Sequence, residues 1–212
     1  MMDELLKAES LRTYQPGGWE YPFSLTGSSG ERIFIQGTQR KCNYLFELLC
    51  GFRLPDEGSV SILGNSLYKL PEQELISFRC HHIGGVPYGG GLMPELRLID
   101  QVTLPMYLMG LSEAEIRDRI RGAAFDYLPV HGLFNPASRS TDRTKALTTI
   151  LQATIMGQEV LVFNSPFEEL SEIAADLVWL QLMEVLKDNT LFIYMSSNPV
   201  PLQVPWTRQL RI

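Results

Sequence analysis

Ile33-Phe34-Ile35-Gln36-Gly37-Thr38-Gln39-Arg40-Lys41-Cys42-Asn43-Tyr44 reads as strand, loop and helix in that order. A phosphate-binding loop fits between such a strand and such a helix. It needs small glycines so that backbone N–H groups can reach the phosphates, a lysine, and a Ser or Thr for Mg²⁺. This chain supplies Gln36, Lys41, Cys42 and Asn43 instead. The stretch keeps the order of a phosphate-binding element and has changed its chemistry.

Before this stretch, residues 11–14, 21–26 and 32–36 are strand-like, split by Gly17-Gly18 and by Gly27-Ser28-Ser29-Gly30. After it, residues 43–52 read as a buried helix, 59–63 as a strand, and 71–79 as an amphipathic helix opened by Pro71. A short strand at 83–86 runs into Gly89-Gly90-Gly91, and helices follow at 98–109 and 112–127. Ser112 and Glu115 have capping-box spacing. The polar patch 138–145 leads into a helix reaching about residue 156. Residues 159–163 and 190–195 are apolar strands of the parallel-sheet type, separated by a long helix at 168–187, and 208–212 is a last strand. Strands alternating with helices predict an α/β fold: a mainly parallel sheet flanked by helices, with a small antiparallel subsheet from the hairpin-like start.

The 212 residues suffice for one sizeable domain, with an ordinary 45% hydrophobic and 20% charged composition. The net charge of −6 disfavours nucleic acid as a main partner, because neutralising phosphates takes a basic face. No apolar run is long enough to span a bilayer, and the acidic start lacks a signal-peptide pattern. Cys42, Cys50 and Cys80 are odd in number and lack CxxC spacing, which suits a reducing compartment and argues against both a disulfide framework and a zinc site.

The order of elements resembles an ATP-binding cassette (ABC) transporter ATPase, and most closely its lipoprotein-release and macrolide-export branch. The resemblance is carried by Leu54-Pro55-Asp56-Glu57-Gly58-Ser59-Val60, by Gly64-Asn65-Ser66-Leu67 with Leu70-Pro71-Glu72, and by Phe78-Arg79, His82-Ile83-Gly84 and Leu92-Met93-Pro94-Glu95-Leu96. Val102-Thr103-Leu104-Pro105 and Met109-Gly110-Leu111-Ser112 extend it. It implies a single domain over residues 1–212, with a helical subdomain at roughly 89–150.

The resemblance also implies where working groups would fall. Tyr14 matches the aromatic that stacks on adenine. The phosphate-loop lysine falls on Cys42, the glycine before it on Lys41, and the Ser/Thr on Asn43. The Q-loop glutamine falls on Tyr88, and the signature on Ser140-Thr141-Asp142-Arg143-Thr144. The Mg²⁺-organising aspartate falls on Asn164, the catalytic glutamate on Ser165, the D-loop aspartate near Ser171 and the switch histidine on Ser197. Cys42 cannot supply a cation between phosphates, Asn164 brings no charge to Mg²⁺, and Ser165 is a poor base near pH 7. The expectation is therefore a subunit without hydrolysis and without a required cofactor. Tyr14 and Lys41 remain weak candidates for holding unhydrolysed ATP/Mg.

The implied partner is an integral membrane permease-like protein, met at the inner face of the cytoplasmic membrane. A homodimer or a cassette-ATPase partner is also implied, and nucleic acid is not. Tyr88, Met93, Leu98, Met106 and Tyr107 are the candidate docking residues, from an apolar, Met-rich stretch. The alternative is a nucleotide-sensing subunit of a transporter. Cys42 at a helix N-terminus is either a reactive thiolate or an inert small residue. His81-His82, read on a strand, would point to opposite faces and not hold one metal. Glu168, Glu169 and Glu172 would complement a helix dipole. Ser165, Ser196 and Ser197 lack a GxSxG elbow.

Overall fold

The computed structural model describes residues 3–14, 19, 21–122 and 130–212, and only the backbone of residue 130. The turn at Gly17-Gly18 and the end of the predicted helix 112–127 lie outside the described residues.

Two sheets form. β1 (Glu4–Arg12), β2 (Phe23–Ser28), β4 (Glu57–Ile62) and β5 (Asn65–Ser66) make an antiparallel sheet in the order β2-β1-β4-β5. β3 (Arg32–Gln36), β6 (Ile83–Val86), β7 (Val160–Asn164), β8 (Leu191–Ser196) and β9 (Arg208–Arg211) make a parallel sheet in the order β6-β7-β8-β3-β9. The helices are α1 (Gln39–Leu49), α2 (Glu72–His82), α3 (Leu98–Leu108), α4 (Glu113–Gly122), α5 (Val130–Leu133), α6 (Asp142–Thr154) and α7 (Glu172–Val185).

Every residue of β7 and β8 is buried. Successive side chains on a strand point to opposite faces, so both faces need cover. Phe34, Phe163, Phe192 and Tyr194 enter one core with residues of α3, α6 and α7. Ile33, Ile35, Val160, Val162, Ile193 and Met195 enter the other, with α1 and the antiparallel sheet. The first core is built on aromatics: Trp179 meets Tyr194 edge-on at 4.8 Å between ring centroids, and Phe163 meets Phe192 edge-on at 5.3 Å.

Local capping sets the helix starts. Thr38 accepts from the Lys41 amide and opens α1, four residues before the predicted start at 43. Ser112 and Glu115 form the expected capping box at α4: the Glu115 carboxylate accepts from the Ser112 amide at 2.8 Å, and Ser112 Oγ accepts in return. Ser171 caps α7, so that helix begins at Glu172. Glu168 and Glu169 therefore precede it, and only Glu172 lies in its first turn, which corrects the expected acidic helix start. His81 and His82 end α2 and do not lie on a strand. His82 Nδ1 sits 3.0 Å from Glu159 Oε2, whereas His81 Nδ1 meets the Ser77 carbonyl at 2.9 Å.

Gly84 lets α6 approach β6. A Cβ there would collide with the Ala153 carbonyl oxygen and the Leu161 side chain. Gly84→Ala should lower unfolding free energy by about 1–3 kcal/mol in urea titrations, the usual cost of overpacking. Gly122→Ala, with open space around it, should change it by less than about 0.5 kcal/mol.

Candidate functional site at the carboxyl edge of the parallel sheet

Parallel strands bring their carboxyl ends to one edge, and that edge is where α/β folds bind ligands. Here Gln36 pairs with Ser196, and Asn164 with Met195, so the ends of β3, β7 and β8 lie side by side. The turn from β3 to α1 is only Gly37-Thr38. The Gly37 amide donates to the Ser196 carbonyl at 3.1 Å, and the Cys42 amide to Thr38 at 3.0 Å. Lys41, Cys42 and Asn43 thus lie inside the helix, not on a loop.

Three neutral amides meet at this edge, where Asn43 and Asn164 also line a cavity of about 710 Å³ shared with Tyr88. The Asn164 amide donates to Asn43 Oδ1 at 2.7 Å, and the Gln39 amide donates to the same oxygen at 2.8 Å and to Asn164 Oδ1 at 3.2 Å. Gln39 Oε1 is buried with no hydrogen-bond partner. The network ties the first turn of α1 to the end of β7. Sequence reasoning brought Asn43 and Asn164 to this edge and missed Gln39. The i,i+4 spacing of Gln39 and Asn43 was the available signal.

Ser165 is buried in the left-handed region at φ +46°, a strained setting for a residue with a side chain. Its amide and its hydroxyl both donate to the Met195 carbonyl, at 2.9 and 3.0 Å. The hydroxyl is committed to holding β7 against β8. Ser196 donates its hydroxyl to Glu168 at 3.0 Å, and Ser197 just beyond it is exposed.

Cys42 is fully buried. Burial first, then the Glu168 charge, pushes its thiol up to about 11, against the downward pull of the Gly37 and Cys42 amides. Of the two readings of Cys42, this favours the inert small residue: the helix N-terminus does not outweigh desolvation. Burial raises Cys50 and Tyr194 as well.

Tyr14 has an exposed ring, and its hydroxyl donates to Glu57. Its backbone amide donates to Asp56 at 2.7 Å. Across the molecule, Thr141 caps α6, Asp142 pairs with Lys145 at 2.6 Å, and Arg143 Nε is buried without a partner. Asp142 and Lys145 line a cavity of about 200 Å³ together with Pro166, Leu170, Gly89 and Gly90.

Of the expected docking residues, Tyr88, Met93 and Tyr107 are surface-exposed. Leu98 and Met106 are fully buried, which corrects their assignment. They lie on the inward face of α3, packed in the core with Val102 and Leu147. Leu104 and Leu108 occupy the outward face instead. Beside it runs a cavity of about 330 Å³ walled by Phe52, Ile76, Arg79, Pro87, Pro105 and Gln152. Arg79 stacks over the Phe52 ring at 4.8 Å and donates to the Gly51 carbonyl at 3.0 Å. Among the described residues there is no cluster of three or more His, Cys, Asp or Glu able to hold a metal, and no helix long and apolar enough to cross a membrane.

Two sheets, with helices on one face of the parallel one and α1 and the antiparallel sheet on the other, are the architecture of the solved ATP-binding cassettes that this chain resembles. The solved cassette MJ0796, in a dimer described as a post-hydrolysis state bound to ADP and Pi, matches with a TM-score of 0.79 at 18% identity, over 92% of this chain and 88% of that one. The cbiO1 protein from Clostridium perfringens, part of the ABC transporter complex cbiONQ, matches with a TM-score of 0.75 at 20% identity, over 93% and 79%. No family model matches the chain. The lipoprotein-releasing system ATP-binding protein LolD of Chromohalobacter salexigens is 27% identical over 204 residues, 92% of this chain and 85% of that protein. LolD of Paramagnetospirillum magneticum is 30% identical over 165 residues, 74% of this chain and 70% of that protein. The chain belongs to the family of ABC transporter ATP-binding proteins, alongside the LolD proteins.

Iodoacetamide at pH 8 should alkylate the partly exposed Cys80 in the folded protein and reach Cys42 and Cys50 only after unfolding, as peptide mass mapping would read. Above the ordinary thiol value of 9.0 the unfolded chain loses the Cys42 proton, whereas the folded chain keeps it to about 11. The stability contributed by this group is therefore full below 9 and falls as pH rises to about 11, at about 1.4 kcal/mol per pH unit. Cys42→Ala should flatten that part of the stability–pH curve.

Proposed function

We propose that this chain is a cassette subunit that does not hydrolyse ATP and that docks on a permease-like integral membrane protein at the inner face of the cytoplasmic membrane. One observation carries the reading: the amide triad of Gln39, Asn43 and Asn164 stands at the edge where a phosphate cradle and its Mg²⁺ ligands would be needed. A phosphate loop with G-x-x-x-x-G-K-[ST] spacing presents several backbone N–H groups from residues outside the helix. Here a two-residue turn leads directly into α1. Neutral amides offer Mg²⁺ no negative charge. The Ser165 hydroxyl donates to the Met195 carbonyl, and a hydroxyl is too weak a base to take a proton from water near pH 7. Losing one preorganised charge-stabilising group typically costs about 10²–10³ in rate. The losses do not add simply, yet together they put hydrolysis far below a working level.

Docking is supported by the apolar outward face of α3 and the cavity beside it. The LolD relatives are ATP-binding proteins of a lipoprotein-releasing system, and cbiO1 is part of a transporter complex. A coupling role within a membrane assembly is the extension of that relationship to this chain, as a homodimer or beside a second cassette ATPase. The second reading, a subunit that senses nucleotide without cleaving it, rests on the exposed ring of Tyr14, open to stacking on a base, and on Lys41 in the first turn of α1.

Purified protein with Mg-ATP should release phosphate at the rate of a no-enzyme control. Phosphate release that Asn164→Ala or Cys42→Ala abolishes would overturn the reading. Titration calorimetry with millimolar Mg-ATP and ADP separates the two readings: heat that Tyr14→Ala removes favours sensing, and its absence favours pure docking. Tyr107→Glu and Leu104→Glu should reduce co-purification with a permease-like membrane protein at unchanged melting temperature. Leu98→Ala and Met106→Ala should instead destabilise the fold by about 2–5 kcal/mol.

A further inference from the structure

α7 is apolar on both sides. Its inward face is built by Val178, Trp179 and Leu182, all buried in the aromatic core. Its outward face carries Ile173, Leu177 and Leu180, which are 77%, 39% and 55% exposed. Those three positions follow i, i+4, i+7 spacing and form one stripe, about 10 Å long at 1.5 Å rise per residue. A surface helix ordinarily turns charged residues outward, so a continuous apolar stripe there calls for a covering partner.

The charge around the stripe selects that partner. α7 holds Glu172, Asp176 and Glu184 and has no lysine or arginine from residue 172 to 185. Glu172 and Glu184 are exposed. The first cation beyond the helix, Lys187, sits beside Gly157. The Gln203 side chain donates to Asp176 and so lays the following loop along the helix; Leu202, next to it in the chain, is 90% exposed.

We propose that the outward face of α7 is a docking surface for a basic amphipathic segment of another protein, one that sets leucine-like side chains on Ile173, Leu177 and Leu180 and brackets them with lysine or arginine. A second copy of this chain fits poorly, because an isologous contact would set Glu172, Asp176 and Glu184 against one another. An anionic lipid surface is disfavoured by the same charges. The residues involved are distinct from those of the α3 face, so this surface stands whether or not that one docks a permease.

The test uses the full chain and a labelled synthetic helical peptide with leucines at i, i+4 and i+7 flanked by lysines, read by fluorescence anisotropy at low salt. Wild type should bind it. Ile173→Ser with Leu180→Ser, and separately Glu184→Lys, should each weaken binding at least about tenfold. Both variants alter exposed positions, and unchanged melting curves would verify their folding. Amide hydrogen exchange should show the peptide protecting α7. The proposal is overturned by undiminished binding to the variants, by equal binding of a peptide with glutamates in place of the lysines, or by no binding at all. Self-association of the chain that Ile173→Ser with Leu180→Ser abolishes would likewise overturn it, by assigning the face to a second copy.

Discussion

A parallel strand between two others has no solvent face, and β8 imposes that constraint on the whole molecule. Flanked by β7 and β3, it is buried along its length, so both surfaces of the sheet must be covered. One surface is covered by α1 and the antiparallel sheet, the other by the α3, α6 and α7 layer with its aromatics. The same pairing aligns the carboxyl ends of β3, β7 and β8, which is why Gln36, Asn164 and Ser196 meet at one edge. Core and candidate site are two results of one packing requirement.

At that edge the groups present do structural work. Ser165 fastens β7 to β8 through the Met195 carbonyl, Ser196 holds Glu168, and Asn164 ties β7 to α1. A buried polar group left unpaired costs stability, and here most of the polar groups at the edge pair with one another, Gln39 Oε1 excepted. Cys42 follows the same logic in apolar form: it fills space in the second core, and burial keeps its thiol protonated. This is the physical content of the proposal that the chain retains the cassette architecture without its hydrolytic chemistry.

Legibility varied with the kind of signal. The apolar strands and the helices between them were readable because burial on both faces leaves a continuous hydrophobic run. The strand at 32–36 and the strand at 83–86 coincide with β3 and β6. The sequence pattern puts the first strand at 11–14, whereas β1 runs Glu4–Arg12, because its mixture of Glu, Lys and Leu has no clean alternation. The start of α1 was read late because Gln39, Arg40 and Lys41 carry no apolar period, and the Thr38 cap sets that boundary.

The sequence by itself determined the α/β class, the family resemblance and the chemical identity of the groups at the strand ends, since these depend on residue type and order. Only the tertiary structure decided which of them touch. It drew Gln39 into the amide network, withdrew Leu98 and Met106 into the core, and turned Ile173, Leu177 and Leu180 to solvent. Helical spacing reports which residues share a face, but not which face meets the sheet when both are apolar. That choice is made by the neighbouring elements, and in α7 it left an apolar stripe with acidic flanks uncovered.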